Sequence, residues 1–183
     1  GDSDQADSGK AYIKYEIDRQ TRAGSHYLDL NVDESSYRLH EQKTTMEWLV
    51  KFVESESTIP PSVDSSNPEI IEVGLAAYSG GQGRPMLNSI ALERPEAIDM
   101  ALKYSARAVV MASNEVGMPA DANERLENVG RIVQMALSKG MEKADIFVDP
   151  LYFPIAVDSS YGKHAFEAIE GIRAEYGDEI HIA

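Results

Sequence analysis

The sequence predicts an α/β protein built on a parallel sheet. Three observations carry this. Helical and strand patterns alternate along the chain, the strand segments are apolar on both faces, and a polar residue ends one strand after another at intervals that fit one strand, one helix and two turns. A chain of 183 residues, 43% hydrophobic and 26% charged, is enough for one domain with a sizeable core.

The opening GDSDQADSG is small, acidic and poor in apolar side chains. Residues 1–9 are therefore expected to be a disordered or tag-derived leader before a domain spanning 10–183. Lys10 to Ala23 reads as a helix, with Ala11, Tyr12, Tyr15 and Ile17 at helical spacing and Gly24 as its stop. YLDLNV (Tyr27 to Val32) reads as a partly alternating strand, and Met46 to Val53 as a helix presenting Met46, Leu49, Val50 and Val53 on one face. A short strand runs into Asp64, and Pro68 at a first-turn position opens a helix that reaches Tyr78 before Gly80 and Gly81. RPMLNSI is a strand, Pro95 to Tyr104 a helix, Arg107 to Ala112 a strand, and Asp121 to Lys139 the longest helix, stopped by Gly140. ADIFVDP is a strand, Gly162 to Tyr176 a helix stopped by Gly177, and EIHIA begins one more strand. A helical bundle would account for the longest helix but not for the short apolar runs between helices.

Composition excludes several functions. A net charge of −14 argues against nucleic acid or an anionic membrane as partner, since both call for a basic surface. With no cysteine, disulfides, thiolate metal sites and a thiol nucleophile are ruled out. The four histidines, His26, His40, His164 and His181, are scattered, so no metal site is expected and each reads as a surface or packing residue. There is no apolar run near the ~18 residues of a membrane span and no signal peptide, which makes the cytoplasm the expected location. The glycine-rich SGGQGRP precedes a strand rather than following one, so it reads as a turn and not as a phosphate loop.

The strand ends carry the functional signal. They supply Asn31 and Asp33, Asp64 and Asn67, Asn88 and Ser89, Asn114, and Asp149; from Asn31 the steps to Asp64, Asn88, Asn114 and Asp149 are 33, 24, 26 and 35 residues. In a (β/α)8 barrel the carboxyl ends of all strands share the rim that holds the active site. Each residue taken alone reads first as a helix cap, and SSNPE and DANER are good caps. Asp64, Asn88 and Asp149, however, sit against apolar strand residues several positions before the next helix. A rim of amides and carboxylates suits a flat heterocycle with adjacent donors and acceptors, such as an aminopyrimidinone.

The segments AGSHYLDLNVDE, SVDSSNPEIIEVGL, GRPMLNSIALE, VVMASNEVGMPADANERLE and IFVDPLYFP resemble the pterin-binding methyltransferase family. That family includes the methyltetrahydrofolate:corrinoid protein methyltransferases and the folate domain of cobalamin-dependent methionine synthase; NEVGMPADANER favours the corrinoid-protein branch. Dihydropteroate synthase is a more distant likeness, its glycine-rich strand end being unmatched by LDLNVDE. The resemblance runs from about Ala23 to the end and implies a TIM barrel.

By the same resemblance, the pterin contacts are Asp64, Asn88 and Asp149, with Asn31, Asp33, Asn67 and Ser89 on the same rim, and Asp149 and Asn114 serve catalysis. The implied reaction moves a methyl group between N5 of methyltetrahydrofolate and the Co(I) corrinoid (cobalamin) of a partner protein. Co(I) is the nucleophile, so the enzyme places the pterin and supports protonation at N5. The family's N5-contacting Asn, in a Gly-Leu-Ser-Asn motif, and its first strand do not occur in this chain, which offers about six of the eight strands. The expectations are therefore a homodimer that closes the sheet edges and, as alternatives to the enzyme, a pterin-binding fragment without activity or an α/β fragment without a ligand.

Overall fold

The computed structural model describes residues 3–183. The fold is parallel α/β: six helices and six strands alternate in chain order, as the sequence predicts, with one added 3-10 turn. The chain divides into two compact units, residues 1–86 and 87–183.

The first unit holds α1 (Ser3–Arg22), β1 (Leu28–Asn31), α2 (Leu39–Glu56), β2 (Pro61–Asp64) and α3 (Pro68–Ala77). Helix α1 starts at Ser3, not Lys10, which corrects the expectation of a disordered leader for residues 3–9; residues 1 and 2 lie outside the described residues. Asp4 sits in the first turn, where a negative charge favours a helix, and Ser8 Oγ donates to the Asp4 carbonyl at 2.8 Å. Low hydrophobicity keeps this segment out of the core, as only Ile17 of α1 is buried, but does not prevent it from being helical. Helix α2 likewise extends seven residues upstream of Met46, through a polar turn braced by Arg38 and Ser36 on Glu41.

Strands β1 and β2 are parallel, with Leu28 opposite Pro61 and Asn31 opposite Asp64. Leu28, Leu30, Pro61 and Val63 are buried. Val63 packs against α3 at Gly74, where a Cβ would stand 2.5 Å from Val63 Cγ1. The period-2 alternation then turns Asn31 and Asp64 to the opposite face of this strand pair. Strand β1 is thus not apolar on both faces: Asp29 and Asn31 are exposed.

The second unit runs from β3 (Met86–Ile90), which begins at the boundary, through α4 (Ala97–Lys103), β4 (Arg107–Met111), α5 (Ala122–Ser138), the 3-10 turn (Lys143–Asp145), β5 (Ile146–Asp149) and α6 (Ser160–Tyr176) to β6 (His181–Ile182). Helix α4 starts two residues after Pro95, because Arg94 to Ile98 first form tight turns. Strands β4 and β5 are parallel with Met111 opposite Asp149, and β5 continues in parallel to β6. Ala108, Val110, Ile146 and Val148 are fully buried. Val109, Met111, Phe147 and Asp149 alternate with them onto the other face.

Candidate functional site

In the first unit, the ends of β1 and β2 form one hydrogen-bonded cluster. Asn31 Nδ2 donates to Asp64 Oδ2 at 2.8 Å, and Asn31 Oδ1 accepts from the Asp33 N–H at 2.8 Å. The direct pairing of Asn31 with Asp64 follows from the strand register. Asp33 is spent on the neighbouring turn: Oδ1 accepts from Ser65 Oγ, and Oδ2 accepts from both the N–H and the hydroxyl of Ser66 at 2.8 Å. Asn67 Oδ1 accepts from the Glu69 N–H at 2.9 Å and so caps α3, the simpler of the two roles its sequence position suggested.

In the second unit, Asn88 and Ser89 sit in β3, half-buried and buried respectively, and the peptide bond between them is cis. Ser89 Oγ donates to Met111 Sδ at 2.8 Å and accepts from Arg94 Nη2 at 3.0 Å. Asn114 stands in the loop after β4 with its whole amide engaged. Its Oδ1 accepts from the N–H groups of Val116 (2.8 Å) and Gly117 (3.1 Å), and its Nδ2 donates to Glu124 Oε1 and Asn128 Oδ1, both at 3.2 Å. Asn114 therefore shapes the loop. Asp149, half-buried at the end of β5, accepts the Leu151 N–H on Oδ1 at 2.8 Å; its Oδ2 takes no hydrogen bond among the described residues. Of the residues assigned to this unit, Asp149 is the one whose acceptor capacity is visibly left for a ligand.

Two residues that sequence reasoning missed hold these loops. Arg125 and Asn128 are 0% and 1% exposed, on the inner face of α5. Asn128 Nδ2 donates to the Ala112 carbonyl at 2.9 Å. The Arg125 guanidinium spans two loops, with Nε on the Pro150 carbonyl and Nη1 on the Asp121 carbonyl, each at 2.9 Å. Burial pulls its pKa below the usual arginine value, and Asp121 and Glu124 offset part of that. The signal was present: Arg125 and Asn128 fall on the stripe that also carries Ala122, Val129, Ile132 and Ala136. A polar residue on an apolar stripe is the informative exception.

Among the described residues, no group of three or more His, Asp or Glu side chains could hold a metal ion. His181 stacks on Phe147 with ring centres 4.3 Å apart, and His40 is largely exposed. No helix among the described residues is long and apolar enough to cross a membrane.

A parallel α/β fold with amides and carboxylates at its strand ends suits the binding of a flat heterocycle. Residues 6–183 match the model of the pterin binding enzymes, and the chain belongs to that family. It is 30% identical over 164 residues to a methionine synthase of Mycobacterium tuberculosis and 29% identical over 164 residues to one of Mycobacterium leprae. These alignments cover 84% of this chain and 13% of each relative.

Solved structures with the same fold include a Yersinia pestis dihydropteroate synthase with a pterine-sulfa conjugate (TM-score 0.68, 16% identity, 94% of this chain and 65% of that one). Another is a Xanthomonas albilineans dihydropteroate synthase in complex with indole-2-carboxylic acid and 6-chloroguanine (TM-score 0.67, 18% identity, 100% of this chain and 66% of that one). The chain thus spans about two thirds of those barrels and about an eighth of the methionine synthases.

Proposed function

We propose that this chain binds methyltetrahydrofolate and serves methyl transfer between its N5 and the Co(I) corrinoid of a partner protein. The observation that carries the reading is the placement of Asp64, Asn88 and Asp149 at or near the carboxyl end of β2, β3 and β5 respectively, in a chain that is 29–30% identical to two mycobacterial methionine synthases. A pterin ring offers an exocyclic amine, a ring N–H and a carbonyl. Carboxylates and amides are the groups that pair with such an edge.

The Asp64 carboxylate accepts from the ring and the Asn88 amide donates to it. Asn31 fixes the Asp64 rotamer, and Asp149 Oδ2 receives the remaining donor. Ser89, Asp33 and Asn67 support these side chains rather than reaching the ligand, and Asn114 keeps the loop after β4 in shape. With cobalt as nucleophile, the protein supplies position and a polar surround for the proton at N5.

Calorimetry with methyltetrahydrofolate tests the binding half. Asp64→Ala or Asn88→Ala should each weaken binding by about 1–3 kcal/mol, the cost of an unmet buried hydrogen bond. Unchanged affinity in both removes the assignment. Adding free Co(I) cobalamin and following methylcobalamin absorbance tests the transfer half. Binding without transfer favours the alternative reading, a pterin-binding chain without transfer activity of its own.

A further inference from the structure

The Leu151 backbone has φ 63°, in the left-handed region that a branched side chain adopts only when its surroundings impose it. Two groups impose it. Asp149 Oδ1 accepts the Leu151 N–H at 2.8 Å, and the Leu151 carbonyl accepts from Arg125 Nη2 at 3.2 Å. The same guanidinium holds the Pro150 carbonyl through Nε at 2.9 Å and lies 4.8 Å over the Phe153 ring. Its other arm, Nη1, is anchored at 2.9 Å on the Asp121 carbonyl at the start of α5.

Arg125 is 0% exposed and forms no ion pair among the described residues; its contacts are carbonyls and a ring face, while Asp121 and Glu124 act on its charge only from a distance. Burying a charge that is only partly compensated is costly. What an apolar side chain cannot do is hold carbonyls of two loops at fixed angles, and a lysine ammonium lacks the planar fork for it.

We propose that Arg125 is a positioning residue: by clamping the Leu151 peptide it sets the Asp149 carboxylate, leaving Oδ2 free for the ligand. This rests on the assignment of Asp149 to the pterin. Arg125 touches no ligand itself and acts through the loop after β5.

Two measurements on the whole chain test it. The first needs no ligand: amide hydrogen exchange by NMR in Arg125→Lys. Exchange at Leu151 should accelerate by about tenfold while the amides of Val110 and Val148 keep their protection. No change at Leu151, or an equal acceleration at all three, overturns the proposal. If Arg125→Lys does not fold, Phe153→Leu decides, since it keeps the guanidinium hydrogen bonds and removes the ring face over Arg125, together with the edge contact to Tyr161. Leu151 should then accelerate by about twofold to threefold with the core unchanged, and an unaltered Leu151 overturns the proposal.

The second is a mutant cycle on methyltetrahydrofolate affinity. Arg125→Lys should weaken binding about tenfold beside Asp149, by less than about twofold in an Asp149→Asn background, and by the full factor in an Asn88→Ala background. Equal losses in all three backgrounds reduce Arg125 to a structural role. A wild-type chain that binds no methyltetrahydrofolate sinks the pterin assignment, while the exchange measurement still decides whether Arg125 holds the loop.

Discussion

Asp33 lies just beyond β1 and Asp149 ends β5, and their surroundings give the two carboxylates different work. Asp33 accepts three hydrogen bonds from Ser65 and Ser66 and so ties the end of β1 to the end of β2. Asp33→Ala leaves those donors unmet at a partly exposed site, and urea unfolding should show a loss of about 1–2 kcal/mol. Glu54 is a third case. Burial pushes its carboxyl up, but the Ser79 hydroxyl and the N–H groups of Ser79, Gly80 and Gly81 outweigh that, leaving it below the usual carboxylate range. A carboxyl depressed in the folded state adds stability that is present above its unfolded value, about 4.3, and lost as pH falls through the folded value. Glu54→Gln should therefore cost about 0.5–1 kcal/mol at pH 7, a small figure because solvent still screens a carboxylate that is only half-buried. The gap from wild type should close below about pH 4. A gap independent of pH would remove this account of the 79–81 turn.

At the scale of elements, glycines mark two helix contacts with different tolerance. A Cβ on Gly74 in α3 would meet Val63 Cγ1 at 2.5 Å and Met46 Cγ at 3.0 Å; on Gly171 in α6 it would meet Leu126 Cδ2 at 2.6 Å. Val63 is β-branched and fixed in a strand, whereas the obstacle at Gly171 is the flexible end of Leu126, both methyls and Cγ, which another rotamer can move. Gly74→Ala should cost about 1–3 kcal/mol by overpacking. Gly171→Ala should cost less, because Leu126 can turn aside; the helix preference for alanine, about 1 kcal/mol, favours both substitutions alike. Thermal unfolding of the two variants side by side checks the order. Helix α5 is fixed at its start by Asp121, whose Oδ1 accepts the Glu124 N–H at 3.0 Å. Asp121→Ala should cost about 1 kcal/mol.

For the molecule as a whole, the testable quantity is the assembly state. Within the first unit β1 pairs with β2 alone, and an open strand edge attracts a partner. We expect light scattering to give twice the 20.1 kDa chain mass; a well-behaved monomer would rule the homodimer out. The element order, the parallel sheet and the residues at each strand end were all legible in the sequence, because they follow from local periodicity and from turn chemistry. The uses of those residues were less legible. Asn67 and Asn114 stand at strand ends by the same rule as Asp64 and Asp149, yet Asn67 caps a helix and Asn114 is consumed by its own loop. Nothing in spacing separates these amides, consumed by their own turns, from Asp149, whose Oδ2 takes no hydrogen bond among the described residues.

By itself the sequence determined the alternation of helices and strands, the family to which the chain belongs and which polar side chains end the strands. Those properties depend on residue type and on contacts a few positions apart. Only the tertiary structure decided that Asn31 bonds Asp64 across 33 residues, that Asp33 is used up, and that a buried arginine on α5 holds the loop beside Asp149. Hydrogen-bond partners are chosen by distance in space, and the strand register that sets those distances exists only once the helices have packed.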